Sequence, residues 1–150
     1  MKKTIVFLGL TVAATAGFAG TGMAQSQGID PIELRQTGMD LLAGDFAGIR
    51  AVVAAKGDLK SLEGPAKAIQ RYAAIYPTLF PKGTESGGNT KAKPEIWSDT
   101  AGFTKASAAM GAAAGELATA ARANDEAGVA TAVKAVGDAC GACHRAYRNR

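Results

Sequence analysis

The residues best placed to do chemistry stand near the end of the chain, at Cys140-Gly141-Ala142-Cys143-His144. Two thiols three residues apart on a helix share a face, and the imidazole follows one turn beyond the first of them. Each thiol can form a thioether with a haem vinyl group, and His144 is then held beneath the ring as an iron ligand. Three plainer uses compete. A redox dithiol gains its reactivity at a helix N-terminus, where the dipole lowers the thiol pKa, but this pair lies near a helix C-terminus. Structural zinc needs four ligands, against two Cys and one His here. A disulfide between i and i+3 of one helix closes a very short loop and gains little.

A haem anchored there needs elements that enclose it, and the pattern upstream is helical. Asp30-Pro31-Ile32-Glu33 reads as a helix start, with Asp30 as N-cap, Pro31 in the first turn and Glu33 closing a capping box. Apolar residues recur at Ile32, Met39, Leu42, Phe46, Ile49 and Val53, the stripe of an amphipathic helix of about six turns. Gly38, Gly44 and Gly48 each weaken that helix by about 1 kcal/mol relative to Ala. Either something packs closely on them or the surface simply tolerates them. Gly57 and Asp58 end this helix. A second, from Ser61 to Tyr76, carries Ile69, Tyr72 and Tyr76 on one stripe and stops at Pro77.

From Pro77 to Pro94 the composition is that of a loop, and one so long in a compact helical domain usually wraps something. Pro94-Glu95-Ile96-Trp97 begins a short helical turn. A third long helix starts near Ser98 or Asp99, with Phe103, Ala106, Met110, Ala113, Leu117 and Ala120 as its stripe. Asn124 is expected to cap the fourth, whose stripe of Val129, Val133, Val136, Cys140, Cys143 and Tyr147 places both thiols on the core side. Four such helices predict an all-α, antiparallel four-helix bundle with a covalently bound haem near the C-terminal helix. The 28 alanines after residue 24 leave few large side chains, so the haem is expected to supply much of the core volume.

Lys2, Lys3, the apolar run Ile5–Ala16 and the small residues Gly22-Met23-Ala24 form a secretion signal, expected to be cleaved after Ala24. Residues 1–24 are then leader and 25–150 one domain without stable membrane insertion. Removing two lysines from 17 basic residues leaves 15 against 13 acidic ones, a net of +2, and two haem propionates bring this near zero. Nothing in that balance argues for nucleic acid. Export also accounts for the thiols, since bonding both to a cofactor removes a liability in an oxidising compartment. The expected location is a bacterial periplasm. No acid, base or nucleophile constellation indicates an enzyme.

Arg35-Gln36-Thr37-Gly38-Met39, Gly83-Thr84-Glu85, Pro94-Glu95-Ile96-Trp97-Ser98-Asp99 and the terminal Cys-x-x-Cys-His with Ala146-Tyr147-Arg148 together resemble the cytochrome c′ family, over nearly all of residues 30–150. The resemblance implies one haem c per chain, with Cys140 and Cys143 as thioether donors and His144 on the iron. It places Met39 and Phe80 on the distal face, Arg148 on the proximal face, Arg35 beside a propionate, and Gln36 and Glu95 near the same haem edge. A pentacoordinate, high-spin iron that binds NO and CO is the function implied, in NO sequestration or protection, within a homodimer formed through the first two helices. In related low-spin class II cytochromes a Met in this part of helix one is the sixth ligand. The alternative is therefore an electron carrier with Met39 on the iron and a redox partner protein that the residues do not identify. A bundle without haem, its Cys pair incidental, is a third reading.

Overall fold

The computed structural model describes residues 28–150; the expected leader and its cleavage site lie outside the described residues. Four long helices, α1 (Pro31–Ala54), α2 (Glu63–Ile75), α4 (Thr100–Arg122) and α5 (Glu126–Tyr147), form the four-helix bundle, and α3 (Glu95–Ser98) is a single turn before α4. Among the described residues there is no strand, only an isolated antiparallel bridge between Ala92 and Arg148.

Local chemistry explains most of the boundaries. Asp30 caps α1 by accepting from the Ile32 amide at 2.9 Å, and Pro31 occupies the first turn. The helix ends earlier than Gly57: Lys56 takes the left-handed conformation at φ 52°, and the Lys56 and Gly57 amides return to the carbonyls of Val53 and Val52. That pairing satisfies the last orphan carbonyls with a lysine where glycine is usual. Asn124 does the same for α4 at φ 56°. The cap of α5 is therefore Asp125, not Asn124, through Asp125 Oδ1 and the Gly128 amide at 3.0 Å. The second helix is also shorter than its pattern predicts. A 3₁₀ turn, Leu59–Leu62, precedes α2, and Pro77 lies inside a second one, Tyr76–Leu79, because its ring suits a first turn and lacks only a free N–H.

The glycines of α1 divide. A Cβ on Gly38 would collide with the ring and hydroxyl of Tyr72, so α1 and α2 approach closely there, whereas nothing lies near Gly44 or Gly48. α4 packs along both α2 and α5, and α1 meets α5 only sparsely. The core that results is not thin. Ala66, Ala114 and Ala121 are fully buried beside Leu62, Ile69, Leu117, Val129 and Val136, and Ser107 closes the α2–α4 contact by donating to the Ala73 carbonyl at 2.7 Å. Alanine there shortens the distance between helices. The missing volume is gathered at the other end, where α1 and α5 stand apart.

Candidate functional site

The gap between α1 and α5 is a cavity of about 630 Å³. This falls within the range of roughly 300–1,000 Å³ usual for cofactor clefts. α5 supplies Cys140, Cys143 and His144 to one wall, and α1 supplies Met39, Leu42, Ala43 and Phe46 to the opposite one; Phe103, Ala106 and Met110 of α4 line it as well. Both thiols are free and half-buried. Burial pushes both thiols above their ordinary pKa, which is the opposite of what a reactive dithiol requires. His144 stays exposed on the cavity wall, where desolvation, and after it the Arg148 charge, lower its pKa and favour the neutral imidazole that can ligate iron. No three His, Cys, Asp or Glu side chains among the described residues converge on a bare metal ion. Two protonated thiols and one neutral imidazole facing an apolar cleft fit a covalent haem.

The loop of residues 80–94 closes one end of this cleft, and Arg35 organises it. Arg35 is only 2% exposed. Its Nη1 donates to Thr84 Oγ1 at 2.8 Å and to the Leu79 carbonyl at 3.4 Å, while Nη2 donates to the Thr84 carbonyl at 2.7 Å and Thr90 Oγ1 at 3.0 Å. The guanidinium also lies 4.4 Å from the centre of the Phe80 ring, a cation–π contact. Burial lowers its pKa, against the charges of Tyr76, Asp30 and Glu85. Gln36 Nε2 donates to the Gly88 carbonyl at 3.1 Å. Both of these polar α1 side chains thus donate to the loop, and α1 lines the rest of the cavity with Met39, Leu42, Ala43, Phe46 and Ala47 together with the exposed Asp40 and Arg50.

Of the residues singled out in the sequence, Arg35, Gln36, Met39, Phe80, Cys140, Cys143, His144 and Arg148 all line the cavity. Glu95 does not: it is exposed in the first turn of α3 and lies outside the cavity lining. Phe80 belongs to an aromatic cluster, edge-on to Tyr76 at 5.0 Å and to Phe103 at 4.9 Å. Tyr76 is the wall residue that the sequence pattern missed as a site group. Its place on the core stripe gave no sign that it faced a cleft, and burial raises its pKa far above the usual tyrosine range. Thr84 and Thr90 were equally silent, because their partner Arg35 lies 49 and 55 residues away.

A helical bundle with a Cys-x-x-Cys-His turn facing an apolar cleft defines a class of small haem-carrying bundles. The cytochrome C′ family model matches residues 30–148. A cytochrome c′ from Rubrivivax gelatinosus is 33% identical over 123 residues, covering 81% of this chain and 95% of that protein. Its crystal structure superposes with a TM-score of 0.72 at 34% identity, over 80% of this chain and 95% of that one. Cytochrome c-556 from Agrobacterium tumefaciens is 34% identical over 121 residues, covering 78% of this chain and 95% of its own. The nitric oxide complex of a leucine-to-isoleucine variant of cytochrome c prime from Alcaligenes xylosoxidans has a TM-score of 0.71 at 32% identity, over 80% and 94% of the two chains. This chain belongs to the cytochrome c′ family, and its cofactor is a covalently bound haem c. No helix among the described residues is long and apolar enough to cross a membrane.

Proposed function

We propose that this chain is an exported, periplasmic haem protein whose pentacoordinate, high-spin iron binds NO and CO and serves in NO sequestration or protection. Cys140 and Cys143 carry the thioether bonds, His144 is the proximal ligand and Met39 packs over the distal side without bonding. When bound, the haem supplies an iron with one open coordination position. The chain decides what reaches it. The observation that carries this reading is the α1 wall, where Met39, Leu42, Ala43 and Phe46 face the cleft while Arg35 and Gln36 have their donors committed to the loop. The α1 stretch from Met39 to Phe46 carries no side-chain hydrogen-bond donor to steady the polar adduct that dioxygen forms, but it admits small neutral diatomics; the donors Arg50 and Tyr76 line the cavity outside that stretch. The Arg35 charge at the cavity edge and that of Arg148 beside His144 offset the haem propionates. The nitric oxide complex of the Alcaligenes relative supports the ligand assignment.

Exposed Leu34 and Leu41 on α1 and Ile75 on α2, with open space at Gly44 and Gly48, support a homodimer through these two helices. Sedimentation of the holoprotein at about twice the monomer mass is the expected result. Titrating ferrous holoprotein with each gas tests the main reading: NO and CO produce saturating spectral changes and dioxygen leaves no stable adduct. A stable oxygenated spectrum, or no response to NO, overturns it. The electron-carrier reading is favoured by one observation: the thioether of Met39, on α1, lines the same cavity as His144, on α5.

A further inference from the structure

Two segments at the edge of the haem site, Trp97-Ser98-Asp99 and Ala146-Tyr147-Arg148, meet in the fold. Tyr147 Oη donates to Asp99 Oδ2 at 2.8 Å, and Asp99 Oδ1 accepts from the Gly102 amide at 3.0 Å. One carboxylate therefore caps α4 and holds α5 at the same time. The Tyr147 ring is buried edge-on against Phe103, with centroids 5.2 Å apart, which fixes where its hydroxyl points.

A second tie comes from the end of the long loop. The Lys93 amide donates to the Tyr147 carbonyl at 3.0 Å, Lys93 Nζ to the Arg145 carbonyl at 3.0 Å, and the Asn149 amide to the Lys91 carbonyl at 2.8 Å. Ala92 pairs with Arg148 in the antiparallel bridge, which holds Arg148 extended at φ −126° and ψ 130°. Carbonyls in the last turn of a helix have no partner within the helix, and such ends fray. Here the carbonyls of Arg145 and Tyr147 are both satisfied from outside.

The turn so fastened is the one that carries His144. An axial ligand has to be held within about 0.5 Å of its working position by residues whose own rotamers are locked. Tyr147 follows Cys143 at i+4 and so lies on the same helix face, which means that its bond to Asp99 opposes rotation of the turn about its axis. The bridge to Ala92 opposes sliding along that axis, and it aims Arg148 at the cavity. We infer that Asp99 and Tyr147 are positioning residues for the proximal side of the haem, acting through the last turn of α5. This rests on the reading of His144 as the iron ligand.

The test uses holoprotein carrying Tyr147→Phe, which keeps the ring, or Asp99→Ser, which keeps a good N-cap but cannot reach the phenol. Amide exchange at Lys93, Arg148 and Asn149 and the haem optical spectrum are followed together. Each variant is expected to speed exchange at these amides at least about tenfold, the loss expected for one charge-assisted hydrogen bond, and to shift the Soret band. The double variant should add nothing to either single one. Unchanged exchange overturns the inference, and so does faster exchange with an unmoved spectrum, which would make the pair merely structural. Should Asp99→Ser fail to fold, Tyr147→Phe decides alone. A wild-type spectrum with methionine on the iron would sink the pentacoordinate reading and leave this test intact, whereas a ligand other than His144 would sink the inference itself.

Discussion

From Ala114 to Ala121, α4 buries its small side chains against α2 and α5 so tightly that Ala114, Leu117 and Ala121 expose nothing. Two or three turns earlier, at Phe103, Ala106 and Met110, the same helix lines the cavity. The chain is alanine-rich in both regions, and the difference lies in what stands opposite. At the closed end the neighbouring helices come close enough for Gly111 to lie against Ala73. At the open end an aromatic cluster of Tyr76, Phe80, Trp97, Phe103 and Tyr147 props the bundle apart and frames the cleft. Stability and function are thus spatially divided. The closed end supplies a core packed by side chains alone, and the open end is shaped for the haem.

This division is easiest to break at the closed end. Leu117→Ala removes a fully buried side chain from a region that cannot collapse further, and it should cost about 2–5 kcal/mol in denaturant unfolding of apo and holo protein alike. Arg35→Lys acts on the open end. The ammonium cannot replace a planar fork that engages Thr84 and Thr90 together, so the loss should be about 2 kcal/mol, with faster proteolysis inside residues 80–94. A similar loss at Leu117 and at Arg35 with the loop still protected would erase the distinction.

Acid should also act at the open end. The Asp99 carboxyl has a lowered pKa, chiefly through the hydrogen bond from Tyr147 and then that from the Gly102 amide. A depressed carboxyl pKa contributes stability above the unfolded value, lost as pH falls through the folded one. Thermal melts between neutral pH and pH 3 should therefore decline less steeply in Asp99→Ser than in wild type. The smallest effect is expected on the outer face of α5. Lys134 and Asp138 pair at 2.6 Å but are both exposed, and Lys134→Ala should change stability by no more than about 0.5 kcal/mol.

Periodicity is enough to read the four helices, because each carries its own apolar stripe; the caps were less legible, since α2 has no side-chain cap and α5 is capped by Asp125. The Cys-x-x-Cys-His turn was legible for the same reason: all of its chemistry lies within five consecutive residues. What the sequence concealed are relations across the chain. The pairing of Asp99 with Tyr147 spans 48 residues, and Arg35 reaches Thr90 across 55. Neither leaves a spacing signal. Alanine content misled in a different way, since a small residue reads alike whether it opens a void or permits close contact. Only the positions of α2, α4 and α5 separate those cases. Gly38 and Gly48 make the same point, one pressed by Tyr72 and the other facing open space.

The central claim is that Met39 fills the space opposite His144 without bonding to iron. Met39→Leu keeps the volume and removes the thioether, at a stability cost below about 1.5 kcal/mol. The decisive measurement is the ferric optical spectrum of this variant beside that of wild type. Both are predicted to be high-spin and superimposable; a low-spin wild type with a methionine-to-iron charge-transfer band that disappears in Met39→Leu would contradict the account and make the protein an electron carrier.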